Sequence, residues 1–164
     1  MNTEQLFVKM SLDGWTAQIK FCDSTLEKLS DEQLMQEVSP FRNRGIYLLG
    51  HLVAVHDMML PLLRFEDSSY PELIPVFIDA PDKTIAQLPP IAQLRTQWKA
   101  VNEKLTGHFN RLSPGDWFTR HANISEKDFE KEPNRNRLNV LLSRTNHLSF
   151  HRGQFIFLAK KNDD

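Results

Sequence analysis

The sequence has a single cysteine among its 164 residues. Cys22 therefore has no partner for an intrachain disulfide, and a zinc site built from several cysteines is excluded, so a reducing cytoplasm is the simplest expected location. The sequence also lacks an excess of either charge, because 20 basic and 21 acidic side chains give a formal net charge of −1. With no positive excess, neither nucleic acid nor an anionic membrane surface is an expected partner.

A long uninterrupted hydrophobic run is also missing. The most apolar stretch, residues 46–63, contains His51, His56 and Asp57, and the N-terminus shows neither the basic nor the apolar region of a secretory signal. We therefore expect neither secretion nor a membrane span. With 40% hydrophobic and 25% charged residues, the chain has the composition of one soluble domain over residues 1–164.

The alternation of apolar and polar residues that marks a β-strand is absent over any useful length. Apolar residues instead recur at intervals of three and four in four segments, residues 3–29, 43–65, 91–112 and the stretch from residue 135 to about residue 160. Pro61 is expected to kink or end the second helix, and Ser30 with Gln33 resembles a capping box that starts a short extra turn. The sequence predicts an all-α fold, a four-helix bundle with long crossover connections, and leaves the role of the crossover at residues 66–90 open.

Two histidines stand four residues apart in the segment NHLSFHRGQ near the end of the chain. On an α-helix such residues project from one face with Cβ atoms about 5–6 Å apart, so His147 and His151 can share one metal ion. The metalloprotease motif H-E-x-x-H has the same spacing, but Leu148 stands where its glutamate would be, which disfavours peptidase chemistry. The pair alone is weak support for a metal site, because six histidines can produce this spacing by chance.

A third ligand is expected on another helix, because a catalytic zinc site takes about three protein ligands and keeps a position open. His51 is the candidate, since it lies on the most apolar helix, where an unpaired polar group costs about 1–3 kcal/mol. The alternative is a core histidine bonded to a backbone carbonyl. His56 lies about 140° round the helix from His51 and cannot share its ion, whereas His108 and His121 are expected to be solvated.

The segments GHLVAVHDMML, residues 50–60, and NHLSFHRGQ, residues 146–154, resemble the DinB-like (YfiT-type) proteins in sequence and in helix order. The resemblance implies that His51, His147 and His151 bind a divalent metal ion, zinc or nickel. It also implies a four-helix bundle that is commonly a homodimer, with thiol-dependent transferase or isomerase activity in some members. Nothing in the resemblance or in the charge of this chain implies DNA chemistry.

The resemblance favours a metal-dependent thiol transferase that acts on a small-molecule substrate with a low-molecular-weight thiol as cosubstrate. The reacting group would be a metal-bound water or thiolate, and no side chain is assigned as a catalytic base. Two alternatives stay open. One is a non-catalytic dimeric bundle that binds a metal or a ligand, and the other is a metal-dependent hydrolase or isomerase.

Neighbours of the three histidines along the two helices are candidates for lining a pocket. Tyr47 lies one turn before His51, Arg144 lies three residues before His147, and Phe155 lies one turn after His151. Each has an alternative role, as a core aromatic for Tyr47 and Phe155 and as a solvated charge for Arg144.

The three residues after His151 are predicted to be structural. Arg152 and Gln154 are offset from the ligand face by 100° or more on helical geometry, so both are expected to point away from the ion. Gly153 costs a helix about 1 kcal/mol relative to alanine, which predicts that another helix packs closely against it.

Overall fold

The computed structural model of the protein describes residues 1–159. These residues form helices, turns and two isolated bridges, Glu37 with Arg44 and Arg120 with Asn136, with no extended strand among them. The prediction of an all-α fold is confirmed, whereas the single-domain assignment over residues 1–164 stays a prediction. The predicted end of the last helix, near residue 160, lies outside the described residues.

Four long helices occupy the four segments that the periodicity predicts, and short helices lie between them. The α-helices are α1 Thr3–Glu27, α2 Asp31–Leu34, α3 Gly45–Asp57, α4 Met59–Leu62, α5 Ile74–Phe77, α6 Ile91–Phe109, α7 Glu126–Lys131 and α8 Arg137–Phe155, with 3₁₀ turns at Pro71–Leu73, Pro114–Phe118 and Ile156–Leu158. Helix α7 lies between the third and fourth predicted helices, where the sequence predicts no helix. It buries none of its residues, so it has no apolar stripe from which periodicity could predict it.

Local sequence signals decide where several helices begin and break. The predicted capping box is present, because the Gln33 amide donates to Ser30 Oγ at 3.2 Å and the Ser30 amide donates to Gln33 Oε1 at 2.9 Å. The second long helix is interrupted at Met58, between α3 and α4. This break confirms the predicted effect of Pro61, which has no N–H to donate to the carbonyl of Asp57.

Contacts at the helix ends fix the direction of α6. Arg95, near its start, donates to the carbonyl of Leu29 just after the end of α1, at 2.7 Å. Helix α6 therefore runs opposite to α1. At its other end, the ring of Phe109 lies 6.1 Å from the ring of Phe65, which follows α4. The second and third long helices thus run in the same direction.

The last helix runs opposite to α3. A Cβ atom on Gly45, at the start of α3, would lie 2.5 Å from Leu158, just beyond the end of α8. Since α3 and α6 are parallel, residues 66–90 must return along their length, which explains the long crossover that the sequence predicts. The more specific prediction of a four-helix bundle of the DinB type stays a prediction.

Helix α3 is the most deeply buried element. The segment Gly45–Leu62 is long and apolar enough to pass as a membrane span by composition, but 78% of it is buried inside the fold, as in a core helix. The three tryptophans are buried in the core, with Trp15 and Trp117 at 2% and 0% exposure and Trp98 at 4%. The polar residues of α3 are therefore held in an interior that has little access to water.

Candidate metal centre

The structure brings His51 together with His147 and His151. Helices α3 and α8 pack side by side, and the ring of His51 lies 5.1 Å, centroid to centroid, from each of the other two rings. The rings of His147 and His151 are 4.5 Å apart on one face of α8. Each of the three residues offers a ring nitrogen, and these atoms all lie within 4.8 Å of one another. The arrangement could hold a metal ion.

The spacing of the ring nitrogens matches the needs of such an ion. Nε2 of His147 lies 3.2 Å from Nε2 of His51 and 3.0 Å from Nε2 of His151. With metal–nitrogen bonds of about 2.0–2.1 Å, ligand angles between about 90° and 109° place neighbouring nitrogens about 2.8–3.4 Å apart. Both measured distances fall inside this interval. The third pair, His51 and His151, lies within the 4.8 Å that encloses all three ring nitrogens.

Hydrogen bonds on the outer side of two rings decide which nitrogen carries the proton. Nδ1 of His51 lies 2.8 Å from the carbonyl oxygen of Phe77, and Nδ1 of His151 lies 2.7 Å from Oε1 of Gln154. Both partners only accept, so each Nδ1 is the donor and each Nε2 presents a lone pair. His147 can donate from Nε2 to only one of these lone pairs, whereas a cation satisfies all three nitrogens together.

The surroundings also keep the three rings neutral. Burial is the largest influence on each, and it lowers the pKa of His51, of His151 and of His147, the last to about 4. The neighbouring imidazoles lower the pKa of His147 and His151 further, while the bonds from Phe77 and Gln154 oppose the shift in His51 and His151. At neutral pH the imidazoles therefore keep the lone pairs that metal binding requires.

Gln154 has a role that the sequence did not assign to it. Its amide oxygen accepts from Nδ1 of His151, the ring nitrogen on the outer side of the cluster. Residues three positions apart on a helix are neighbours, so a long side chain such as that of Gln154 can contact His151 even when their Cα–Cβ bonds point in different directions. The spacing of three from His151 is therefore the signal that could have identified Gln154. No such signal exists for Phe77, because its contribution is a backbone carbonyl 26 residues from His51.

The close glycine contact also lies elsewhere than predicted. A Cβ atom on Gly153 would meet nothing within 4 Å, so no neighbouring helix explains this glycine. A Cβ atom on Gly50 would instead lie 2.3 Å from Cζ of Phe77. Gly50 lets the crossover approach α3 where it supplies the carbonyl for His51. Arg152 does extend to another helix, with its guanidinium carbon 5.3 Å from the ring centre of Phe21 on α1.

The pocket-lining candidates differ in their surroundings. Phe155 is fully buried within the hydrophobic core, and Tyr47 is 8% exposed with its hydroxyl donating to the carbonyl of Ala80 at 2.8 Å. Both match the alternative interpretation as core aromatics. Arg144 is half-buried, and its positive charge lowers the pKa of His51 and His147. Of the three candidates, Arg144 is the one whose charge acts on the centre.

The other three histidines lie outside the cluster, as predicted, but only in part for the predicted reasons. His56 is fully buried and bonds Asn102 Oδ1 through Nδ1 at 2.8 Å. His108 bonds Glu66 on the surface at 2.7 Å. The expectation that His121 is solvated is wrong, because His121 is only 9% exposed and its Nδ1 accepts a hydrogen bond from the backbone amide of Asn123. A loop packed over this side chain is a tertiary feature that local polarity does not reveal.

A groove of about 570 Å³ between α1 and α6 lies apart from these histidines. It is lined in part by Asp23, Arg95 and Trp98, with none of the three clustered histidines in its wall. The histidine cluster is singled out as a site by its chemistry.

Comparison with protein families bears on the same residues. No curated protein matches the chain. The family model of the DinB superfamily matches residues 20–155, a range that contains α3, α8 and all three clustered histidines. Because this match covers most of the sequence, the chain belongs to the DinB superfamily.

Proposed function

We propose that His51, His147 and His151 bind a divalent metal ion, zinc or nickel, and that the protein is a metal-dependent thiol transferase acting on small molecules. The observation that carries the proposal is the convergence of three Nε2 atoms, with 3.0 and 3.2 Å between the measured pairs. The hydrogen bonds that Phe77 and Gln154 accept support it, because they occupy Nδ1 of His51 and His151 and leave each Nε2 with a free lone pair.

The ligand count suits catalysis better than a purely structural metal. Among residues 1–159, the grouped metal-binding side chains are the three histidines and include no fourth ligand. All three are partly exposed, so solvent can reach their edge of the fold. A bound divalent ion would supply Lewis acidity at an open position, lowering the pKa of a water or thiol there.

The protein's own groups favour a thiol over water as the attacking molecule. No carboxylate of the described chain belongs to the histidine group, so the group itself offers no carboxylate to remove a proton from water. A thiol has an ordinary pKa of about 8.5 and loses its proton far more readily than water. The chain's contribution is then to hold the three imidazoles neutral and fixed in orientation. The proposal therefore ranks thiol transfer above hydrolysis.

A non-catalytic dimeric protein is the second candidate, and the exposed faces of α1 and α8 support the dimer that it requires. Large apolar side chains are exposed there at 48–75%, and they are Phe7, Met10, Phe21, Phe150 and, just beyond α8, Phe157. Exposed apolar patches of this kind are typical of protein interfaces. We propose that this face joins two copies of the chain in a homodimer. Sedimentation of the wild type and of Met10→Lys tests it, since a monomeric wild type would contradict the dimer.

Metal analysis of protein purified without a histidine tag tests the centre. We expect about one zinc or nickel ion per chain in the wild type, and a loss of stoichiometric metal in His51→Ala, His147→Ala and His151→Ala. His108→Ala is the matched control, because His108 bonds Glu66 on the surface and lies outside the cluster. If all three cluster variants retain the wild-type metal content, the proposed centre is wrong.

Cobalt substitution separates the catalytic from the structural role. The visible spectrum of a cobalt-loaded protein with an open position changes when a small thiol enters the coordination shell. We expect this change on addition of 2-mercaptoethanol. A spectrum that stays constant over a wide thiol range, in a protein that binds cobalt stoichiometrically, would retain the metal site and remove the basis for thiol transfer.

A further inference from the structure

Arg144 lies on α8 three residues before His147, one of the clustered histidines. Within residues 1–159, its buried Nε atom has no hydrogen-bond partner. No carboxylate in these residues forms an ion pair with it, in contrast to Arg44, which binds Asp82 at 2.7 Å. A buried N–H group without an acceptor is costly, and a ligand that supplies an acceptor removes that cost.

The charge of Arg144 acts on histidines of both helices that carry the cluster. It lowers the pKa of His51 and of His56, both on the facing helix α3, as well as that of His147 on its own helix. Burial lowers the pKa of Arg144 itself, and no carboxylate opposes that shift. The guanidinium therefore lies within electrostatic reach of both helices that carry the proposed ligands, without a neutralising group.

A second unpartnered group lies one helical turn away. Nδ1 of His147 is buried and has no hydrogen-bond partner among residues 1–159. When Nε2 of this ring faces an ion, Nδ1 carries the proton and is a donor. Residues three apart share a helix face, so Arg144 and His147 present two unsatisfied N–H groups on the same side of α8. Two neighbouring donors with one positive charge match the two oxygens of a carboxylate.

We propose that Arg144 binds the carboxylate of the molecule that occupies the metal centre, so that the ligand is a small carboxylate-bearing thiol or substrate. The inference rests on the proposed function for the ion itself. With a divalent ion, three neutral imidazoles and a guanidinium, the centre carries three positive charges and no described carboxylate. An anionic ligand reduces that charge, whereas a neutral ligand of the same size leaves it unchanged.

Two matched thiols test the proposal on the cobalt-loaded protein. The probes are 3-mercaptopropionate and 3-mercapto-1-propanol. The first carries a carboxylate where the second carries a hydroxymethyl group. We expect the wild type to bind the carboxylate probe about 10–100-fold more tightly, the range typical of hydrogen bonds to charged groups. Arg144→Gln should bind both probes alike and keep its metal content, whereas Arg42→Gln, which alters an exposed arginine, should retain the preference. A preference that persists in Arg144→Gln, or is absent from the wild type, overturns the proposal.

A measurement without metal separates failure of this inference from failure of the proposed centre. The Nε–H signal of Arg144 in nitrogen-15 spectra, identified by its loss in Arg144→Gln, is followed as propionate or 1-propanol is added to the metal-free protein. We expect a saturable shift with propionate only. That result supports carboxylate binding at Arg144 even if cobalt does not bind, whereas an unmoved signal contradicts it. Comparison of propionate with 3-mercaptopropionate shows whether the thiol adds to binding once metal is present.

Discussion

Replacement of Gly50 by alanine should damage the candidate metal centre without altering any of its three histidines. Gly50 precedes His51 on α3, and an added Cβ would lie 2.3, 2.4 and 2.6 Å from three ring atoms of Phe77. An ordinary contact begins at 3.4 Å, so the ring must retreat by about 1 Å. Phe77 is fully buried and has little free space in which to move.

The same movement would disturb His51. The Phe77 carbonyl accepts from Nδ1 of His51 at 2.8 Å, and a retreat of about 1 Å would lengthen this contact to roughly 3.8 Å, beyond a hydrogen bond. Loss of such an outer hydrogen bond typically weakens metal binding about 10–100-fold. Overpacking a core costs about 1–3 kcal/mol, and the better helix propensity of alanine returns about 1 kcal/mol. We therefore expect Gly50→Ala to be destabilised by up to about 2 kcal/mol.

Urea unfolding and a chelator competition measure the two effects. Gly107→Ala is the matched control, because Gly107 is also helical, on α6, and a Cβ there would meet nothing within 4 Å. It should gain up to about 1 kcal/mol and keep its metal affinity. In a Phe77→Leu background, which removes the Cε1 and Cζ atoms, Gly50→Ala should cost less than in the wild type. A Gly50→Ala protein that is stabilised like the control and binds metal normally would refute the reasoning.

Three further changes test other parts of the structure. Gln154→Leu should weaken metal binding at least about tenfold in a chelator competition, because Nδ1 of His151 loses its hydrogen-bond acceptor. An unchanged metal affinity would argue against a role for Gln154 in orienting His151. Burial lowers the pKa of His56 from 6.5 to about 3, so the folded protein holds this ring neutral while the unfolded chain protonates it below pH 6.5. The free energy of unfolding is therefore greatest above pH 6.5. It falls between pH 6.5 and pH 3 by up to about 1.4 kcal/mol per pH unit. Urea unfolding of metal-free protein at pH 7 and 5 should show a smaller decrease in His56→Gln, and equal decreases would contradict the assignment. Gly153→Ala should raise the free energy of unfolding by up to about 1 kcal/mol, and a loss of stability would reveal a contact at that position.

The sequence predicted the helical framework because its signals are local. Periodicity placed the four long helices, and the capping residues Ser30 and Gln33 and the effect of Pro61 are present as predicted. Each of these features depends on neighbours within about one helical turn. Helix α7 escaped prediction because it buries no residue and so carries no apolar stripe.

The sequence also predicted which histidines meet, and tertiary structure decided how they are held. A spacing of four placed His147 and His151 on one helix face, and the apolar setting of His51 marked it as a buried polar group that needs a partner. The carbonyl of Phe77, the close approach at Gly50 and the rotamer of Gln154 depend on how the crossover and α8 pack against their neighbours. A backbone carbonyl has no residue identity, and the direction of a long side chain is chosen by its surroundings, so these determinants appear only when distant segments are brought together.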